Sequence, residues 1–372
     1  MSRIARVCLA ALLAALQLGP APVAANPAAS AASAASAAPV PLLAYYYIWY
    51  DARSWTRAKA DYPQLGRYSS DDPAVMARHI DLAKQAGING FIVSWKSTEV
   101  LNRRLDQLSR IASAKRFKLA LIYEGLDFNR KPLPVERIHR DLTEAAERYT
   151  RGSAFALFDR PLVIWSGTWR YSTTDIARVV RPLRDRLLIL ASERNPEGVR
   201  RLSGLVDGDA YYWSSVDPRR TPGYRQKLAA MEKAAHAQGG VWIAPAAPGY
   251  DARKLGGRRV VQRRDGATLG EELDAATMSS PDAIGLISWN EFSEGSYIEP
   301  SLRYGRRYLD VLTSLRRAPA AATARGGDFA SDEPGGRGVN PGRLILLGSL
   351  LLGGMLTLAA IRRTANRRRA GA

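Results

Sequence analysis

Cysteine is nearly absent from this chain: one stands in 372 residues, Cys8. A single thiol near the N-terminus excludes an internal disulfide and a cysteine-ligated zinc site. Histidine is almost as scarce, and His79, His139 and His236 all fall in stretches patterned as helices. That placement argues against a Ser-His-Asp triad, a histidine-rich metal site and histidine acid–base catalysis. No H-E-x-x-H occurs, and no G-x-G-x-x-G or G-x-x-x-x-G-K loop follows an apolar run, which removes the phosphate cradles of nucleotide enzymes. Neither a metal nor an organic cofactor is expected. Carboxylates are the reactive groups that remain.

Long apolar runs are few, and they lie at the two ends. Residues 1–25 have the form of a secretory signal: Arg3 and Arg6, then Val7 to Leu16, then small residues at Val23-Ala-Ala25. An Ala/Ser/Pro linker fills 26–39, and a Gly/Pro/Ala-rich one 317–343. Residues 344–361 are uncharged and apolar, close to the ~18–20 residues of a membrane helix. The basic tail 362–372 follows with Arg362, Arg363, Arg367, Arg368 and Arg369. The positive-inside rule puts that tail in the cytoplasm and the main domain, 40–316, outside, as a single-pass type I protein of the cell membrane. A buried core helix is the competing reading of 344–361. Of the net charge of +19, seven positives belong to these ends, leaving +12 spread over the rest without a basic run. Such an exterior favours anionic envelope polymers. Nucleic acid is not an expected partner.

Between the linkers, short apolar runs alternate with helical patterns about eight times over about 280 residues. The runs are Leu42–Trp49, Ile88–Ser94, Phe117–Tyr123, Pro161–Trp165, Arg186–Ala191, Asp209–Trp213, Gly240–Ala244 and Ala283–Ser288. Ser70-Asp-Asp-Pro73 is a helix start, with a cap and a first-turn proline, and the last helix is expected over Leu302–Leu315. Nearly continuous apolar strands separated by helices argue for parallel pairing. The expected fold is a (β/α)8 TIM barrel, followed by a linker and one C-terminal transmembrane helix. A doubly wound open sheet is the alternative.

A barrel gathers its functional groups just after the strands. Those positions hold Trp49, Tyr50 and Asp51, with Tyr47 just before them; Trp95 and Lys96; Glu124 and Asp127; Trp165 and Trp169; Glu193; Trp213; Tyr250, Asp251 and Arg253; and Asn290, Glu291 and Glu294. Aromatic faces suit the C–H faces of sugars, and carboxylate, amide and guanidinium groups suit hydroxyls. Glu291 and Glu294 can share a helical turn with Cβ atoms about 5–6 Å apart, close enough for one carboxyl to raise the other's pKa. Glycosidic cleavage needs such an acid and base pair. A solvated acidic loop is the bland reading of the same spacing.

The chain resembles glycoside hydrolase family 99, the endo-α-mannosidase family. The likeness covers most of 42–316. It rests on Ala44-Tyr-Tyr-Tyr-Ile-Trp-Tyr50, Ala86-Gly-Ile-Asn-Gly-Phe-Ile-Val-Ser-Trp95, Pro248-Gly-Tyr-Asp251 and, most strongly, Trp289-Asn-Glu-Phe-Ser-Glu-Gly-Ser-Tyr-Ile-Glu-Pro300. The resemblance implies a barrel that cleaves internal α-mannosidic bonds of an oligo- or polysaccharide with retention and without a metal. By the same resemblance, Glu291 deprotonates the sugar's 2-hydroxyl, which attacks the anomeric carbon to give a 1,2-anhydro intermediate. Glu294 is then the acid/base, and Glu124 binds sugar. The chain departs from the family at Phe292-Ser293, where Trp-His is usual, and at Gly125-Leu126, where Pro-Tyr is usual; both bear on substrate-binding positions. A carbohydrate-binding or envelope-assembly barrel without hydrolysis is the rival class.

Overall fold

The computed structural model describes residues 39–57 and 59–317. The expected export signal, the membrane helix 344–361, the basic tail and nearly all of both linkers lie outside the described residues. Among the described residues, no helix is long and apolar enough to cross a membrane.

Each apolar run contributes a strand: β1 (Leu42–Tyr47), β2 (Gly90–Trp95), β3 (Lys118–Glu124), β4 (Leu162–Ser166), β5 (Leu188–Ala191), β6 (Gly208–Ala210), β7 (Val241–Ala246) and β8 (Ala283–Leu286). Neighbouring strands pair in parallel, and β1 pairs with both β2 and β8, so the eight close into a barrel. The open-sheet alternative falls on that closure. Between and after the strands run α1 (Pro73–Gln85), α2 (Glu99–Ala114), α3 (Val135–Glu144), α4 (Thr173–Val180), α5 (Pro196–Arg201), α6 (Tyr224–His236), α7 (Ala267–Thr277) and α8 (Arg307–Arg317). Their starts follow local chemistry. Asp72, Thr98, Ser172 and Asn195 each accept a backbone N–H of the first turn of α1, α2, α4 and α5, satisfying donors that a helix start leaves free.

Several boundaries differ from expectation. The first strand ends at Tyr47, two residues early. The last helix starts at Arg307 because Ser301 and Gly305 exchange backbone hydrogen bonds (3.1 and 2.9 Å) in a closed turn. The third helix ends at Glu144 and winds into one π turn over Ala145–Tyr149. A short antiparallel ribbon, Tyr250–Asp251 with Val260–Val261, stands between β7 and α7.

Strand alternation sorts the core into two sets. Leu43, Tyr45, Ile92, Ala120, Ile122, Leu162, Ile164, Leu190 and Ile243 fill the barrel interior. Ala44, Tyr46, Phe91, Val93, Leu121, Val163 and Trp242 face the helices. Gly285 belongs by parity to the inner set, and its lack of a side chain makes room for a tyrosine: a Cβ there would lie 2.9 Å from Tyr45 Cε2 and 3.4 Å from Ile243 Cγ2. Gly285→Ala is therefore expected to cost about 1–3 kcal/mol, the usual penalty of overpacking. The check is the urea midpoint at constant slope; an unshifted midpoint would refute this account of the interior.

Candidate active site

Beyond β8 the chain makes a loop, 288–300, closed at its neck. Ser288 N–H donates to Ser296 C=O (2.8 Å), Ile298 N–H to Ser288 C=O (2.9 Å) and Glu299 N–H to Trp289 C=O (2.9 Å). Arg263 Nη2 reaches in and donates to the carbonyls of Gly295 and Tyr297, each at 2.8 Å. Glu291 and Glu294 sit on a reverse turn in this loop rather than on a turn of helix. Gly295 ends that turn at φ +62, a conformation open to glycine, and a Cβ there would approach Asp251 Cβ to 3.2 Å.

Both glutamates are only 3% exposed. Glu291 N–H donates to Ser288 Oγ (2.8 Å), and Glu291 Oε1 accepts from Ser293 N–H (3.0 Å). Burial pushes the Glu291 carboxyl up to about 6, against the pull of Lys59 and of its own N–H donors. Lys59, on the long loop after β1, donates to Ser293 Oγ (3.2 Å), and burial lowers its ammonium pKa while Glu291 opposes that shift. The main-chain carbonyl of Glu294 accepts from Asp251 N–H (2.7 Å).

Around the pair stand three tyrosines. Tyr47 and Tyr212 share a hydroxyl–hydroxyl hydrogen bond of 2.6 Å. Burial raises the pKa of Tyr47, Tyr212 and Tyr250, and the charges of Glu291 and Glu294 raise all three further. Trp49 stacks on Tyr47 with centroids 4.3 Å apart. Glu124, at the end of β3, accepts from Ser94 Oγ (3.0 Å). Burial raises its carboxyl pKa, and Lys96 draws it back. Tyr47 lies in the fields of all three glutamates, so these carboxylates share one mouth.

Other expected site residues stand elsewhere. Asn290 is fully buried beneath the turn: Tyr47 N–H donates to its Oδ1 (2.9 Å), and its Nδ2 donates to Tyr47 C=O (3.0 Å). Tyr50 is buried beside it, donating to Asn290 C=O and stacking on Trp55. Trp95 and Trp165 point outward, into the layer under the helices, and Trp95 Nε1 donates to Asn102 on α2 (2.8 Å). Trp213 also packs against that outer layer, with Lys227 of α6 over its ring. Asp127 Oδ1 accepts from Asn129 and Lys131 N–H, both at 2.8 Å, and so holds its own loop. Asp251 pairs with exposed Arg253 (2.7 Å) on the ribbon. Lys96 donates to Leu126 C=O (2.8 Å), and Glu193 pairs with Arg201 (3.0 Å).

Tyr212, Ser94 and Lys59 were not expected. For Tyr212 and Ser94 a signal existed: each is one residue before an outward tryptophan, so parity turns it inward. No periodic signal marks Lys59, which lies on an irregular loop. Among the described residues, no group of three or more His, Cys, Asp or Glu side chains is arranged to hold a metal ion.

With this geometry in view, comparison with known proteins is informative. The model of glycosyl hydrolase family 99 matches residues 55–314. A human glycoprotein endo-alpha-1,2-mannosidase-like protein is 24% identical over 285 residues, 68% of this chain and 60% of that protein's length. The chain is also similar in fold to a GH99 endo-alpha-mannosidase from Bacteroides thetaiotaomicron, with a TM-score of 0.64 and 18% identity over 73% of this chain and 95% of the other. A structure titled a glycoside hydrolase-like protein has a TM-score of 0.59 at 17% identity, covering 74% and 93% of the two chains. The family match spans more than half of the sequence, and the chain belongs to glycosyl hydrolase family 99.

Proposed function

We propose that this protein is a retaining endo-glycosidase that hydrolyses α-linked, mannose-type bonds with Glu291 and Glu294. The observation that carries the reading is the pair itself: two buried carboxylates three residues apart on one braced turn, in a mouth shared with Glu124 and Tyr47. The signal-like residues 1–25 and the apolar run 344–361 support export and anchoring at the membrane.

The chemistry follows the resemblance and balances on these residues. Ionised Glu291 takes the proton of the sugar 2-hydroxyl, and O2 attacks the anomeric carbon from the face opposite the leaving oxygen. The glycosidic bond breaks while protonated Glu294 gives its proton to that oxygen. A 1,2-anhydro sugar results. Glu294, now ionised, takes a proton from water, which attacks the anomeric carbon; the O2 bond to that carbon opens, and O2 recovers its proton from Glu291. Two inversions give net retention. Lys59 favours the ionised form of Glu291, the state the first step needs.

Glu291→Gln and Glu294→Gln should each lower kcat by about 10²–10⁴-fold, the typical worth of a general acid or base, in assays on α-1,2-linked manno-oligosaccharides with mass analysis of the products. Near-normal turnover by both variants would refute the assignment. Binding without cleavage by the unaltered protein would favour the rival carbohydrate-binding barrel.

A pH profile tests the base separately. Since Glu291 must be ionised, kcat/KM should fall as pH drops through about 6. Lys59→Met removes a charge that lowers the carboxyl's pKa, so the acid limb should move to higher pH; a limb that stays in place or moves down would exclude this coupling. The stability linkage has the opposite sense. A carboxyl raised from 4.5 to about 6 on folding favours the fold fully below 4.5, and that contribution is lost as pH rises through 6.

A further inference from the structure

Three arginines near the mouth lie in one another's electrostatic fields. Arg130, Arg170 and Arg194 come from the successive loops after β3, β4 and β5. On the flanking elements, Arg178, Arg186, Arg200 and Arg201 each hold a carboxylate, of Glu136, Glu147, Glu197 and Glu193 respectively. Near the three mouth arginines, Glu124 accepts from Ser94 Oγ and Glu193 pairs with Arg201. Burial weakens the proton affinity of Arg130 and Arg194, and each lies in the field of Arg170 and of a glutamate, Arg194 also in that of Arg130.

Arg130 is fixed at its backbone and Arg194 by a ring contact. Arg130 sits at φ +60, in the left-handed region that residues other than glycine seldom occupy. The turn that imposes this is braced by Asp127, which accepts from Asn129 and Lys131, while Arg130 N–H donates to Asp127 C=O (3.0 Å). Arg130 Nη1 is buried and has no hydrogen-bond partner. Arg130 also feels the charges of Glu124 and Glu294, which sets it at the border of the reacting centre. The Arg194 guanidinium carbon lies over the ring of Trp169, 4.2 Å from its centroid, a cation–π contact that leaves guanidinium N–H groups for an acceptor. Arg170 directly follows Trp169 in a short 3₁₀ turn, Thr168–Arg170, and is exposed.

A neutral sugar offers hydroxyls, which carboxylates, amides and phenols satisfy without like charges repelling one another. Two half-buried guanidinium groups and an exposed third, with an unfilled donor on Arg130, favour an anion, which would relieve the repulsion and accept in bidentate fashion. We propose that the mouth over β3–β5 recognises a negatively charged sugar unit of the glycan, bearing carboxylate, phosphate or sulfate, through Arg130, Arg170 and Arg194. The proposal rests on the reading of Glu291 and Glu294 as the cleaving pair and specifies the substrate class for it.

The test uses the full chain and three sets of α-1,2-linked manno-oligosaccharides: neutral, carrying one phosphate monoester, and carrying one uronic acid residue. The readout is the ratio of kcat/KM for charged over neutral oligosaccharide. It should be roughly tenfold to a hundredfold, as charge-assisted hydrogen bonds supply, and should shrink with added salt. Arg170→Gln with Arg194→Gln should bring the ratio near one, whereas Arg170→Lys with Arg194→Lys should keep most of it. The phosphate and uronate arms decide which anion is preferred. A ratio near one in the unaltered protein, or one unmoved by the glutamine pair, overturns the proposal while leaving hydrolysis standing. If nothing is cleaved, the hydrolase reading has failed on its own. Calorimetric binding of phosphorylated against neutral oligosaccharide then decides the anion site: tighter binding of the phosphorylated one supports it, and equal binding overturns it.

Discussion

Beyond the last register pair of β1 with β8, Ala44 and Leu286, Trp289 N–H still donates to Tyr45 C=O (2.8 Å), and the side-chain amide of Asn290 then takes the seam over. Its oxygen and nitrogen bond the N–H and C=O of Tyr47 as a strand neighbour would. The seam at which the barrel closes is thereby extended toward its mouth, and the next residue is Glu291. From the same amide, a chain of buried polar groups leads back into the helical layer. Asn290 Nδ2 donates to Tyr68 Oη (3.3 Å), Tyr68 donates to Glu299 Oε2 (2.8 Å), and Glu299 Oε1 meets His79 Nε2 (3.1 Å). His79 Nδ1 meets Tyr46 Oη at 3.0 Å. Removing one partner from such a buried set leaves the others unsatisfied, at a larger cost than the bond itself is worth. The site is thus anchored at two ends, on the strand seam and on α1.

The turn carrying the glutamates is stiffened by the two residues at which it departs from the family motif. Phe292 is fully buried and stacks on Tyr297 with centroids 4.1 Å apart. Ser293 donates its N–H to Glu291, and its hydroxyl oxygen accepts from Lys59. These positions therefore serve the turn and the carboxylate, while the arginines of the β3–β5 loops supply positive charge on another side of the mouth. Carboxylates in a low-dielectric site need such nearby donors and cations to ionise at all.

Much of the barrel was legible in the sequence. Strand-length apolar runs and helical patterns with recognisable caps, such as Asp72 before Pro73, recur at barrel spacing because local propensity and burial agree along most of the chain. Boundaries were less legible where a turn outweighed helical pattern, as at Ser301–Gly305. Within the candidate site, Glu291 and Glu294 follow β8 while Glu124 and Tyr47 end β3 and β1, so their places at strand ends were legible. Trp95 and Trp213 were misplaced because nearness to a strand end was read without its parity. The tight inner packing around Gly285 could not be seen without its neighbours in space, Tyr45 and Ile243.

By itself the sequence determined the alternation of strands and helices, the family motif with its two glutamates, and the scarcity of cysteine and histidine that leaves carboxylates as the reactive groups. These are local properties of residue type and spacing. Tertiary structure decided which neighbours the glutamates have: Lys59 from 232 residues upstream of Glu291, Tyr212 from just beyond the sixth strand, and Asn290 as a strut beneath the turn. It also brought Arg130, Arg170 and Arg194, from three successive strand-end loops, into one another's electrostatic fields. Charge, burial and hydrogen bonding depend on distances in space, and closing the barrel is what sets those distances.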